Sequence, residues 1–178
     1  MKAKSKSYKL SKLKGDDKHN YKNLEMIECD TTPFSIVSHD GYSYNVKFVD
    51  RASGYIEMYW IPDLKAASIL NCFINFKTKM EIIIGEKIKY FRCDGGSEFR
   101  GVFEVYLNSN GIIHQVGNAY KKHYPPRAER AHRTILNLAK AAHIESNLPI
   151  HYFSEAHRYA AFTINRLVRT GSDKSPIE

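Results

Sequence analysis

The chain has 178 residues, 43% hydrophobic and 26% charged, with 27 Lys and Arg against 19 acids and a net charge of +8. That balance suits one globular domain with a core and argues against a disordered chain. No apolar run reaches the roughly 18 residues of a membrane helix, and the lysine-rich start has no apolar stretch behind it to read as a secretory signal. The three cysteines, Cys29, Cys72 and Cys93, form no C-x-x-C pair. Neither a zinc ribbon nor a disulfide scaffold is expected, and a soluble, reducing compartment is the default.

Residues 1–24 carry eight lysines against two acids. With no apolar periodicity, they read as a flexible basic arm, either binding a polyanion without sequence readout or simply solvated. Met26 to Asp30 is a short apolar run ending in an acid. Residues 42–50 alternate, with Tyr44, Val46 and Phe48 on one face and Asn45 and Lys47 on the other, as in a half-buried strand. Residues 55–61 read as the next strand, with Ile56, Met58 and Trp60 sharing a face. Ile69, Phe73, Phe76, Met80 and Ile83 recur at helical spacing, and Gly85 closes that helix.

Ile88 to Cys93 reads as a fourth strand ending at Asp94. A short helix capped by Ser97 follows, with Phe99, Val102, Phe103, Tyr106 and Leu107 as its stripe. Ile112 to Val116 is a fifth strand. After a polar loop, a long helix begins near Pro126 with Ala128, Ala131, Ile135, Leu138 and Ala142 facing inward. A last helix carries Phe153, Ala156, Ala160, Ile164 and Leu167. Three adjacent strands followed by strand–helix alternation predict an α/β fold, a mixed sheet with helices on its faces.

Asp30 and Asp94 each end a predicted strand, where ligand-binding residues gather in α/β sheets. Glu129 lies in the first turn of the long helix and can return to the same region. Three converging carboxylates need a counter-charge, which two Mg²⁺ ions about 3.5–4 Å apart supply while clamping the oxygens of a phosphodiester. Spacing alone leaves the alternative open. Asp after a strand also forms turns, Glu at a helix start also favours the dipole, and Asp40, Asp50 and Asp63 have equal claims as isolated residues.

Three blocks resemble the catalytic core of copia-type (Pseudoviridae-like) LTR-retrotransposon integrases, encoded within a Gag-Pol polyprotein. They are Cys29-Asp30-Thr31-Thr32-Pro33 with Tyr44 to Arg51, then Arg92-Cys93-Asp94-Gly95-Gly96-Ser97-Glu98-Phe99, then Ala128-Glu129-Arg130-Ala131-His132-Arg133. The resemblance runs from about residue 25 to the end. It implies a ribonuclease H-like fold, a five-stranded mixed sheet with helices on both faces, in a catalytic core over 25–178, with 1–24 similar to the basic linker after a zinc module.

It further implies a metal site of Asp30, Asp94 and Glu129, with Mg²⁺ as cofactor and Mn²⁺ as substitute. The chemistry implied is DNA 3′-end processing and strand transfer, with DNA and further copies of the chain as partners and no membrane. Localisation would be nuclear, with a cytoplasmic particle stage. Lys121, Lys122, Arg127, Arg130 and Arg133 form a basic rim for DNA phosphates, or else a solvated helix face. Tyr120, His123 and Tyr124 either stack on unpaired bases or pack. His132 lacks evident companions for a ligand role, and Cys93 lacks an evident His partner for a nucleophilic one.

The chain departs from the family at Glu28, where His is usual, and at Pro126, where Gly is frequent. These departures leave a second reading, a catalytically inactive remnant that binds nucleic acid or oligomerises. A module that only associates with an intact integrase and a nuclease for RNA–DNA hybrids are the remaining readings.

Overall fold

The computed structural model describes residues 20–116, 126–168 and 173–178. Most of the basic arm, together with Tyr120 to Pro125, lies outside them. Three strands come first: β1 (Met26–Pro33), β2 (Tyr44–Asp50) and β3 (Ile56–Ile61). They pair antiparallel in sequence order. Then come helix α1 (Ala66–Ile84), strand β4 (Tyr90–Cys93), helix α2 (Val102–Ser109) and strand β5 (Ile113–Val116). Helices α3 (Pro126–Ser146) and α4 (Phe153–Arg166) complete the order. Strand β4 pairs parallel with β1, and β5 parallel with β4. The sheet order is therefore β3-β2-β1-β4-β5, mixed and five-stranded as expected.

Alternation along the strands sends side chains to two different covers. Ile27, Cys29, Val46, Phe48 and Phe91 meet Phe73, Phe76 and Phe103 from α1 and α2 in the main core. Val49 and Ile56 meet Ala128, Ile135, Ala139 and Ala160 from α3 and α4 on the other side. Small residues on α3 and α4 let these helices lie close to the sheet and to each other.

Helix α1 ends as the sequence predicts. Gly85 takes φ +74° and donates its N–H to Glu81 O at 3.0 Å, a left-handed cap that costs Gly little. Ile83, expected on the buried stripe, is 63% exposed. The expected single helix from Ser97 is broken. A 3₁₀ turn spans Ser97–Phe99, and α2 starts only after Gly101 at φ +62°, which leaves Val102 exposed. The largest difference concerns β2, which is not half-buried. Asn45 and Lys47 are nearly as inaccessible as Val46 and Phe48, because α3 and α4 cover the face expected to be solvated.

Candidate active site

Strand β1 carries Glu28, Asp30 and Thr32 on the face beneath α3. Asp30 does not end its strand. It lies inside β1, opposite Lys47 of β2, whereas the pairing of β1 with β4 is last recorded at Glu28 and Arg92. Two residues further along each parallel strand, Asp30 comes level with Asp94, which directly follows β4. Their charges interact. Asp94 is exposed, yet its carboxyl is held above the ordinary range, chiefly by desolvation and further by Glu98 and Asp30, against the lowering effect of the Gly96 N–H. That N–H donates to Asp94 Oδ1 at 3.2 Å.

Glu98 adds a fourth acid. It accepts a 3.3 Å hydrogen bond from the Thr31 hydroxyl, and its carboxylate occupies the space that a Cβ on residue 96 would need. A larger residue at 96 would oblige that flexible carboxylate to swing aside.

Glu129 sits in the first turn of α3, half-buried, with Arg133 Nη2 at 3.4 Å. The start of α3 is docked onto the sheet by Glu28, which is fully buried. Glu28 Oε2 accepts the backbone N–H groups of Arg127 and Ala128 at 2.7 and 3.0 Å. Its Oε1 lies 2.7 Å from Arg51 Nη1 and 3.6 Å from Arg92 Nη1. A helix leaves its first N–H groups without partners inside the helix, and a carboxylate there also meets the positive end of the dipole. Pro126 fits this arrangement because the first helical position needs no N–H. The two departures noted in the sequence thus act together: the acid at 28 anchors the helix that the proline begins.

His132, one turn after Glu129, lies at the site after all. Its Nδ1 is 3.4 Å from Thr32 Oγ1, and its charge interacts with Lys47, Asp30 and Glu129. Desolvation, then Lys47, lowers its pKa below the usual value, so it is neutral at pH 7 and brings no positive charge to the acids. Lys47 was missed altogether. Its Nζ is 3.0 Å from Asp30 Oδ2 and donates to Thr32 Oγ1 at 2.5 Å, with 1% of the residue exposed. Burial pulls its pKa down, and Asp30 opposes that effect.

Cys93 does have a His partner: His114 Nε2 is 3.2 Å from its Sγ. The thiol is nonetheless fully buried, and desolvation with Asp94 and Glu98 pushes its pKa far up, so it is no nucleophile.

Of the basic rim, Lys121 and Lys122 lie outside the described residues. Arg127 and Arg130 line a groove of about 770 Å³ together with Ala52, Ser53, Thr134 and Lys174, while Arg133 reaches back to Glu129. Arg127 also donates to Ala52 O at 3.3 Å.

Asp30, Asp94 and Glu129 offer oxygen donors only, the chemistry that suits a hard divalent ion such as Mg²⁺. They could hold such an ion, but their ligating atoms are not gathered into one tight cluster. Among the described residues, only His39, Asp40 and Glu155 form a three-residue group with ligating atoms within 4.8 Å. There Arg158 already bridges both acids, with Nη2 2.5 Å from Asp40 Oδ2 and Nη1 against Glu155. That group is a satisfied ion-pair network.

The mixed five-stranded sheet with its four helices has the ribonuclease H-like fold found in integrase catalytic cores. Solved structures with this architecture include the catalytic core of BIV integrase, with TM-score 0.62 and 20% identity over 86% of this chain and 91% of that one. The HTLV-2 integrase catalytic core in complex with magnesium gives TM-score 0.63 and 21% identity, over 86% and 94%. A simian T-cell lymphotropic virus intasome chain gives TM-score 0.69 and 20% identity, over 86% and 53%.

No protein-family model matches the chain. Among sequences, it is 33% identical over 145 residues to the retrovirus-related Pol polyprotein from transposon RE1 of Arabidopsis thaliana, covering 81% of this chain. It is 32% identical over 146 residues to that from transposon TNT 1-94 of Nicotiana tabacum, covering 80%. The chain belongs to the retrovirus-related Pol polyproteins of copia-type retrotransposons. It spans only about a tenth of the length of these relatives.

Proposed function

We propose that this core performs metal-dependent DNA 3′-end processing and strand transfer, with Asp30, Asp94 and Glu129 as metal ligands. The observation that carries the reading is the acid arrangement. Asp30 on β1 comes level with Asp94 just past its parallel neighbour β4, and Glu28 docks the first turn of α3, which carries Glu129, onto the same face. Desolvation chiefly, and the nearby charges of Glu98 and Asp30 further, hold Asp94's pKa up, and an added cation would oppose both effects. Mg²⁺ is the ion inferred, with Mn²⁺ as substitute.

Bound divalent ions would supply an activated water or 3′-hydroxyl and neutralise the leaving oxygen. The three carboxylates act as ligands and not as nucleophiles. Glu28 acts at a distance, holding α3 against β1 so that Glu129 keeps its place. His132, neutral and hydrogen-bonded to Thr32, packs the floor without competing for the acids. Arg127 and Arg130, with Lys121 and Lys122, are read as holding DNA phosphates alongside. Such contacts position the duplex without reading its sequence.

DNA ends, target DNA and further copies of this chain are the partners inferred. The intasome chain and the dimeric and trimeric HTLV-2 cores among the structural neighbours support this. Among the described residues no helix is long and apolar enough to cross a membrane. A nuclear site of action, with a cytoplasmic particle stage, follows from the same reading.

The test is cleavage and strand transfer of a labelled duplex carrying the element's terminal sequence, in Mg²⁺ and in Mn²⁺. Metal-dependent products lost in Asp94→Asn and Glu129→Gln are expected. A folded chain that shifts DNA in a gel but yields no products would reduce the domain to a binding module.

A further inference from the structure

Among the three acids, Asp30 stands apart. Asp94 is exposed at the end of β4, and the Arg133 partner of Glu129 is a surface side chain. Asp30 instead has a cation already in place. Lys47 is 1% exposed, and its Nζ lies 3.0 Å from Asp30 Oδ2 and 2.5 Å from Thr32 Oγ1. The backbone gives this cation no freedom. Residue 47 is in the middle of β2, paired with Asp30 of β1 on one side and Met58 of β3 on the other. Only rotation of the side chain can move the ammonium.

The pairing is asymmetric. About a quarter of the Asp30 side chain reaches solvent, but only 2% of that of Lys47 does. Asp30 can exchange its partner for water or another cation. Lys47 cannot, because a desolvated ammonium deprived of its counter-ion carries the full penalty of burial. A second cation drawn to Asp30 meets a fixed positive charge beside the same carboxylate and takes away that charge's partner.

We propose that Lys47 is a tethered counter-cation that competes with divalent metal for Asp30 and so weakens metal binding in this chain. This rests on the reading of Asp30, Asp94 and Glu129 as the metal ligands. With no metal bound, Lys47 supplies the counter-charge beside Asp30 and ties β1 to β2 by an ion pair across the ladder. Metal loading then requires the ammonium to share or yield Asp30.

The test is metal binding, independent of catalysis. Mn²⁺ affinity would be measured by electron paramagnetic resonance on the full chain, for the natural protein, Lys47→Met and Lys47→Arg. Met keeps the apolar stem and removes the charge, whereas Arg keeps the charge. Lys47→Met is expected to bind Mn²⁺ about tenfold more tightly, comparable to the usual coupling between two interacting sites. Lys47→Arg is expected not to gain.

Asp94→Asn in the Lys47→Met background separates the two ideas. If it abolishes binding while Lys47→Met binds no tighter than the natural chain, the ligand assignment survives and the competition proposal is overturned. If it leaves binding unchanged, or no variant binds Mn²⁺, the ligand assignment itself is wrong and the proposal goes with it. Should Lys47→Met fail to fold, Lys47→Gln retains a hydrogen-bonding head for Thr32 and takes its place in the same series.

Discussion

The two faces of the sheet are built on opposite principles. Beneath α1 and α2 lies an apolar, aromatic core, in which Phe48, Phe73, Phe76, Phe91, Phe99 and Phe103 are at most 1% exposed. Beneath α3 and α4 the sheet carries Glu28, Lys47 and Arg92, equally buried but charged. The first face supplies stability that depends on volume and little on geometry. The second supplies position: Glu28 holds the first N–H groups of α3, while Lys47 and Arg92 pair across strands with Asp30 and Gln115. A site that must hold carboxylates near one another is carried on the face where geometry is enforced by pairing.

Breaking the aromatic face should cost most. Phe91→Ala removes a ring packed against Phe73 at 4.9 Å and Phe103 at 5.0 Å between centroids. A loss of about 4 kcal/mol in urea unfolding is expected, from transfer and cavity terms together. On the charged face, Glu28→Gln leaves Arg51 and Arg92 without their carboxylate and weakens the anchor of α3. About 3 kcal/mol is expected by the same measurement, with strand transfer lost before the fold is. A variant that unfolded no more easily than the natural chain would refute the anchoring role.

Asp30 and Asp94 should then differ in sign. Asp30→Asn strips buried Lys47 of its counter-ion. Because Asp30 is partly solvated, the cost falls below that of a fully buried pair, at about 2 kcal/mol. Asp94→Asn should raise the melting temperature slightly at neutral pH, since Asp94's folded pKa lies above its unfolded value. A raised carboxyl binds its proton more tightly in the folded state, so stability falls as pH rises through that window. The advantage of Asn should therefore be present at pH 7 and vanish on acidification below the ordinary carboxylate range, where Asp94 is protonated in both states. Melting curves from pH 3 to 7.5 test both acids, and equal behaviour would erase the distinction between them.

The order of strands and helices was legible from local pattern. Gly85 closes α1 as its position after the last periodic residue requires, and β1 to β3 form the predicted meander. Misreadings occurred where a distant element decides. Lys47 alternates with Val46 and Phe48, so periodicity alone sends it to solvent; α3 and α4, about 80 residues or more further on, cover it. Glu28 reads as a departure from a family pattern until the backbone N–H groups of Arg127 and Ala128 come to rest on it. His114 reaches Cys93 only because β5 lies beside β4.

By itself, then, the sequence determined which segments become strand or helix, and that Asp94 follows β4 and Glu129 opens α3. These follow from side-chain period and turn chemistry within a few residues. Only the tertiary structure decided which faces are dry, because burial depends on what packs from elsewhere in the chain. Dryness in turn makes a lysine a bound counter-ion and a glutamate a helix anchor, since a charge out of water must find a partner.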